Sequence, residues 1–391
     1  MVSENVAKNY FVLSPFFFPE PISTGKFNTD MVLALREKGH RITVICSHPL
    51  YPSWKPVKST KEIEGIRIIR GGSWIKYPER QVFRRVVLEV WFSIFAITKI
   101  IKYRKEIDVL IPIFPPSLAF YFIRLFLKTQ TTSIGIVHDL QEVYSNKLKG
   151  IFSRIIGALI NFIEGANLRY CHKVIFLSKE MMMKAKDNYK LDLRKCEVQY
   201  PFVSINQNVI TDCLGDLIDK NDINIVYSGA LGDKQNPKGL KALFDYISKL
   251  KPQWNFFIFS QGNVLEDLKN ENKNNKIKFF QLVDRENIEE LYDKSTVQII
   301  PQLEGTSKGS LPSKLPNILA SSCKVLVITD EDSELKQFFE ENDLKKVVTT
   351  WDYSVIFAAI IELIENQAND LETLKELTSK YFSLNSLINK L

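Results

Sequence analysis

Cysteine is scarce and scattered: Cys46, Cys171, Cys196, Cys213 and Cys323 show no paired spacing, which fits neither a disulfide framework nor a zinc site. They are expected to be buried, reduced thiols. Glycine and proline, 16 each in 391 residues, are too few for a low-complexity chain, so disorder is expected only at the termini. Residues 1–9 lack a basic flank followed by an apolar run, so no secretory signal is expected and the cytoplasm is the expected compartment. The apolar run at 86–101 is too short to span a bilayer comfortably and contains Glu89, which would be costly there. No glycine-rich dinucleotide fingerprint is present, and Ser23, Thr24, Gly25, Lys26 lacks the Walker A spacing. A Rossmann dehydrogenase and a P-loop NTPase are therefore unsupported.

What is present is a chain longer than one hydrophobic core usually organises, with 45% hydrophobic and 25% charged residues, as in a soluble two-domain protein. The net charge of +7 hides an asymmetry: residues 1–205 hold 31 Lys and Arg against 17 Asp and Glu, and the remainder 21 against 28. Such a basic half suits nucleic acid or an anionic membrane, both of which offer closely spaced phosphates. No helix-turn-helix or aromatic-basic reading motif is found, so nucleic acid is not expected as a partner. Instead, basic residues flank the apolar helix expected over 82–105, which carries Trp91, Phe92 and Phe95. That pattern suits an element lying on the inner leaflet, and it also suits a core helix of a Rossmann domain.

Short apolar runs alternate with helical segments, which predicts parallel βαβ units. Strands are expected at 10–13, 42–46, 109–113, 133–137 and 174–177, then, after a polar stretch at 206–222, at 223–227, 254–260, 277–280, 297–300 and 324–329. The fold class is thus α/β, with two doubly wound Rossmann-like domains facing one cleft. Their expected spans are 1–205 and 206–375, with a helix at about 376–391 packing back on the first. Ligands in such sheets sit at the carboxyl ends of strands, so the loop at 14–24, ahead of a helix expected over 26–38, and the loop at 228–232 should line the site.

Moving a sugar from a nucleotide diphosphate needs cations or N–H groups on the departing diphosphate and hydrogen bonds that orient the sugar. Lys234, five residues after Gly229, and Lys314, at the expected first turn of a helix, are the best cations, and helix-start amides would add to the pull. His138 and Asp139 end a strand and are expected to project into the cleft. Glu20 is either an acceptor-side carboxylate or solvated, with the solvated reading favoured; Asp139 is grouped with it. His40 and His172 are read as structural, and no Ser-His-Asp set is evident.

These motifs are similar to a known group. Ser14, Pro15, Pro19, Glu20 and Ser23 to Lys26, then Gly39, His40 and the run Pro49, Leu50, Tyr51, Pro52, Ser53, Trp54, resemble the start of family-4 glycosyltransferases of the colanic-acid fucosyltransferase and O-antigen N-acetylfucosaminyltransferase type. The stretch from Tyr227 to Gln235 resembles that group's donor loop, and that from Pro312 to Ala320 its nucleotide-binding helix. The resemblance implies a GT-B fold, a nucleotide-sugar donor, retention of anomeric configuration, no required metal or other cofactor, and a lipid-linked saccharide acceptor in O-antigen or capsule assembly. It points toward a deoxysugar donor. It further implies that Lys234 and Lys314 hold the diphosphate, His138 the donor sugar and Asn317 the ribose. Gly25 and Lys26 would close over the phosphates, with Ser228, Gly229, Gln235, Glu304, Ser313 and Leu315 completing the donor site. The chain departs from the group at its paired glutamates, which are Gly309 and Asn317 here, with Glu304 as a substitute for the first. Ala230 replaces an arginine, and Ser321, Ser322 and Cys323 fill a turn that usually holds glycine. These losses keep a catalytically silent GT-B subunit as the alternative; a sugar-nucleotide 2-epimerase would need carboxylate and histidine acid/base groups.

Overall fold

A computed structural model describes residues 7–391 other than 21, 52, 141–150, 204–212, 216, 308–310, 322, 345 and 366–370. Pro21, Pro52, Gly309, Ser322 and part of the expected linker lie outside the described residues. The chain divides into one unit of residues 1–200 with 384–391 and another of residues 201–383.

The first unit holds a seven-stranded parallel sheet ordered β3-β2-β1-β4-β5-β6-β7. Its strands are β1 (Asn9–Leu13), β2 (Arg41–Ser47), β3 (Ile66–Gly71), β4 (Val109–Phe114), β5 (Thr132–Val137), β6 (Lys173–Phe176) and β7 (Cys196–Val198). β4 is buried along its whole length, as expected of a parallel strand covered on both faces. Its pairing with β5 passes over Ile111 and Pro112, because proline has no N–H to give to the ladder. The helices are α1 (Ser23–Glu37), α2 (Gln81–Tyr103), α3 (Leu118–Ile123), α4 (Ile151–Tyr170) and α5 (Lys179–Tyr189).

The second unit repeats the plan with six parallel strands ordered β10-β9-β8-β11-β12-β13. These are β8 (Asn224–Ser228), β9 (Asn255–Ser260), β10 (Ile277–Gln281), β11 (Val297–Pro301), β12 (Lys324–Ile328) and β13 (Val347–Val348). The helices are α6 (Pro237–Leu250), α7 (Asn263–Asn270), α8 (Ile288–Asp293), α9 (Leu315–Ala320), α10 (Glu334–Glu341), α11 (Tyr353–Glu365) and α12 (Leu371–Phe382). α6 begins with Asn236, whose carboxamide accepts from the Gly239 N–H, followed by Pro237 at the first helical position. Leu214 and Ile218, in the polar stretch, are buried against Val226, Phe257 and Phe259, so that stretch is partly core and not only linker.

The segment that returns to the first unit is shorter than expected: α12 stays with the second unit, and only the short α13 (Leu384–Ile388) and the residues after it cross back. There Lys390 Nζ donates to Val198 O and Gln199 Oε1, while Lys173 Nζ donates to Lys390 O. All five cysteines are free, but Cys213 is exposed and Cys196 half-buried, which corrects the expectation of uniformly buried thiols.

Candidate active site

In each sheet the chain reverses its winding once, between β1 and β4 and between β8 and β11, and a crevice opens at the carboxyl ends of such neighbours. In the second unit β8 ends at Ser228, and Gly229 follows at φ 137°, a region that suits glycine. Lys314, immediately before α9, reaches back to this point. Its Nζ donates to Ser228 O at 3.0 Å and lies 4.0 Å from the centroid of the Tyr227 ring. Tyr227 is fixed in turn by its hydroxyl, which donates to Ala230 O at 2.6 Å. Burial pushes the Lys314 ammonium down to about 7, and among the described residues no carboxylate offsets that cost.

Lys234 sits in the turn after β8 with its side chain exposed, while its carbonyl accepts from the Leu303 N–H at 2.7 Å. That bond ties the turn to the loop after β11, which carries the exposed Glu304. The same loop is held from β12 by Asp330, whose carboxylate accepts from Gly305 N–H at 2.9 Å, from Ser307 N–H at 3.2 Å and from the Ser307 hydroxyl. Three strand ends thus build one locus with one enclosed and one exposed cation.

Several expected donor contacts are corrected by this geometry. Leu315 is fully buried core and its N–H is spent on Pro312 O. Pro316 has no N–H, and α9 is only six residues long, so the expected helix-start amides contribute little. Gln235 Oε1 accepts from the Gly232 N–H and serves the turn itself. Asn317 is buried and already engaged, so it is not a free ribose ligand here. Ser228 offers its carbonyl to Lys314 and its hydroxyl to Gln298, whereas Ser313 is exposed beside Lys314. The turn that lacks glycine closes differently: Ser321 ends α9 in extended backbone and its hydroxyl accepts from the Cys323 N–H.

In the first unit α1 starts at Ser23, so Gly25 and Lys26 lie in its first turn instead of a loop. Gly25 is required by packing, because a Cβ there would meet Glu20 Cβ and O at 2.9 Å. Lys26 has a partner within the protein and is not a free cation. Glu20 is neither solvated nor free for an acceptor: it is buried, and its two oxygens accept from Leu50 N–H at 2.8 Å and Tyr51 N–H at 2.6 Å. Burial raises its pKa while those two bonds oppose the rise. His138 follows β5, yet it does not project freely. Its ring stands edge-on to Phe27 at 4.8 Å, and its Nε2 is enclosed with no partner among the described residues. Burial pushes His138 down to about 4, so the imidazole is neutral at pH 7. Asp139 is half-buried and engaged. His40 and His172 each accept a backbone N–H, from Lys8 and Ser133, in agreement with structural roles.

Set beside known proteins, this arrangement has clear relatives. Residues 24–207 match the family model Glycosyltransferase Family 4, and residues 216–380 match Glycosyl transferases group 1. The chain belongs to the GT-B glycosyltransferases. The glycosyltransferase is 24% identical over 350 residues to a protein of Escherichia coli K12 named as a colanic acid biosynthesis glycosyl transferase, WcaI, covering 83% of this chain and 84% of that one. Its fold is shared with sucrose-phosphate synthase from Thermosynechococcus elongatus (TM-score 0.73, 13% identity, 98% and 97% of the two chains covered). A glycosyltransferase from Rickettsia africae is similar too (TM-score 0.63, 16% identity, 99% and 97% covered). Membership implies a nucleotide-sugar donor and a glycan acceptor.

Two residues of the site have roles that the sequence reading did not give them. Tyr227, placed in the donor loop without a role of its own, underlies Lys314, and its signal was a tyrosine directly after Ile225 and Val226 near the end of the strand. Asp330 holds the 305–307 loop, and its only signal was an acid just past a strand end.

Proposed function

We propose that the glycosyltransferase moves a sugar from a nucleotide diphosphate to a lipid-linked glycan, with retention and without a metal, in assembly of a surface polysaccharide such as O-antigen or capsule. The observation that carries this reading is the Lys314 ammonium, enclosed at a strand end without a carboxylate partner among the described residues. A departing diphosphate supplies the negative charge that this position lacks, and charge that develops as the glycosidic bond breaks is stabilised most in a site already organised for it. Lys234, exposed on the neighbouring turn, adds a second point charge. The name of the Escherichia coli relative supports the polysaccharide setting.

The test is a thermal-shift screen of the purified protein against nucleoside diphosphates and nucleotide sugars, followed by transfer assays on lipid-linked acceptors. Stabilisation by one base series supports the reading. If no nucleotide moves the melting curve, the silent-subunit reading takes its place. Lys234→Ala should lower kcat/KM roughly tenfold, because an exposed ammonium contributes a charge-assisted bond that water partly screens. An unchanged kcat/KM would remove Lys234 from the site.

The basic first half further supports attachment to the inner leaflet. Among the described residues no helix is long and apolar enough to cross a membrane. On α2, however, Phe83, Val86, Val90, Ile94 and Ile101 form an exposed apolar stripe at helical spacing, with Lys99, Lys102 and Arg104 near its end. The protein should therefore sediment with vesicles containing anionic lipid at low ionic strength and be released as salt rises. Binding that ignores lipid charge would exclude this attachment.

A further inference from the structure

The carboxyl ends of β1, β2 and β3 carry a second constellation. Trp54 lies in the left-handed region at φ 57°, a conformation that bulky side chains rarely adopt. The loop before it is clasped by Glu20 through the Leu50 and Tyr51 amides, and Trp54 N–H donates to Leu50 O at 2.6 Å. Tyr77 stands edge-on to the indole at 5.6 Å and is itself fixed by Trp91 Nε1, which donates to its hydroxyl at 2.5 Å.

Onto this aromatic corner the first turn of α2 delivers Arg84, whose Cζ lies 4.3 Å from the Trp54 ring. A guanidinium over an aromatic face is attracted by the ring and keeps its N–H groups for a second partner. Yet its Nε is enclosed without an acceptor, and among the described residues the group makes no hydrogen bond and no ion pair. The nearby acid does not serve it, because Glu20 is consumed by backbone amides. Arg70, at the end of β3, gives one N–H to Phe18 O and likewise has an enclosed, unanswered Nε. Residues 49–85 hold nine Lys and Arg against three Glu, and Tyr51 and Trp74 are exposed within that segment.

We propose that this corner is a subsite for an anionic amphiphilic glycan, with a phosphate or carboxylate oxygen pair on Arg84 and the apolar part of the ligand against the surrounding aromatic side chains. A pair of oxyanion oxygens matches two guanidinium N–H groups, and a sugar or alkyl segment matches the rings. The assignment of this ligand as the acceptor rests on the glycosyltransferase reading; the charge preference of the corner does not.

The experiment compares a decyl glycosyl phosphate with the neutral decyl glycoside of the same sugar, both below their micelle-forming concentrations, titrated calorimetrically into full-length protein carrying both Lys234→Ala and Lys314→Ala so that neither donor-side cation is present. The charged compound should bind about tenfold more tightly than the neutral one, as expected for a charge-assisted pair in a half-buried setting. Arg84→Ala should abolish that preference, Arg84→Lys should retain part of it, and Trp54→Ala should weaken both compounds. Nucleotide-dependent stabilisation, measured separately in Arg84→Ala and Trp54→Ala proteins with Lys314 intact, should persist and shows that these variants fold. Equal binding of the two compounds, binding of neither, or a preference that survives Arg84→Ala would overturn the proposal. Failure of every nucleotide to stabilise the unsubstituted protein would count against the donor reading alone.

Discussion

Lys314→Ala is expected to reduce transfer at saturating donor by roughly 10²–10³-fold while the protein stays folded, the range seen when one preorganised donor to developing negative charge is removed. The reason lies in what surrounds the ammonium. It rests on the Tyr227 ring, gives one hydrogen bond to a neutral carbonyl, and has burial as the cause of its depressed pKa. Such a group costs the ligand-free protein stability that the ligand restores. Lys314→Met should therefore raise the melting temperature of the ligand-free protein by ~2–4 °C near pH 6, while removing nucleotide-dependent stabilisation. The sign follows from linkage: between about 7 and the ordinary lysine value the unfolded chain holds a proton that the folded chain has released, so stability rises with pH across that window, and the cost is greatest below it. A nucleoside diphosphate binding above pH 7 should also draw a proton onto Lys314, seen as buffer-dependent heat in calorimetry. A turnover within twofold of the unsubstituted enzyme, or no proton uptake at pH 8, would remove Lys314 from the leaving-group site.

Glu20→Ala is expected to cost the first unit about 2–4 kcal/mol, because it strands the two backbone N–H groups of Leu50 and Tyr51 that the carboxyl oxygens now satisfy. Glu20→Gln keeps one acceptor and should fall between. Since the folded pKa of Glu20 is raised by burial, the contribution of this group is fully present below the ordinary glutamate range and declines as pH rises through the folded value. The difference between Glu20→Gln and the unsubstituted protein should accordingly narrow with rising pH. Thermal melts from pH 4 to 8 decide the matter: coincident curves for the alanine variant and the unsubstituted protein would show that the clasp carries no stability.

Much of the architecture was legible because buried parallel strands are continuous apolar runs, and ten of them could be placed from that signal alone. β3 was missed because Arg67 and Arg70 interrupt its apolar residues, and β7 and β13 because two or three residues carry no periodicity. At the site, the sequence pattern places Lys234 in the turn after a strand and Lys314 at the first turn of a helix. Their difference in burial could not be read from it, because it depends on a tyrosine from a strand 87 residues earlier in the chain. Glu20 was misread for a related reason. A glutamate between two prolines looks solvated until the chain thirty residues on returns its amides.

Returning residues 384–391 to the first unit has a consequence for biosynthesis. β1 and β7 are made early, yet Tyr10 meets Leu391 and Val198 meets Lys390 only after the entire second unit has been translated. Domains ordinarily close in the order in which they leave the ribosome. Here the earlier one gains its last contacts after the later one is made, and a nascent chain stalled anywhere within the second unit lacks the partners that Leu391 and Lys390 give to Tyr10 and Val198.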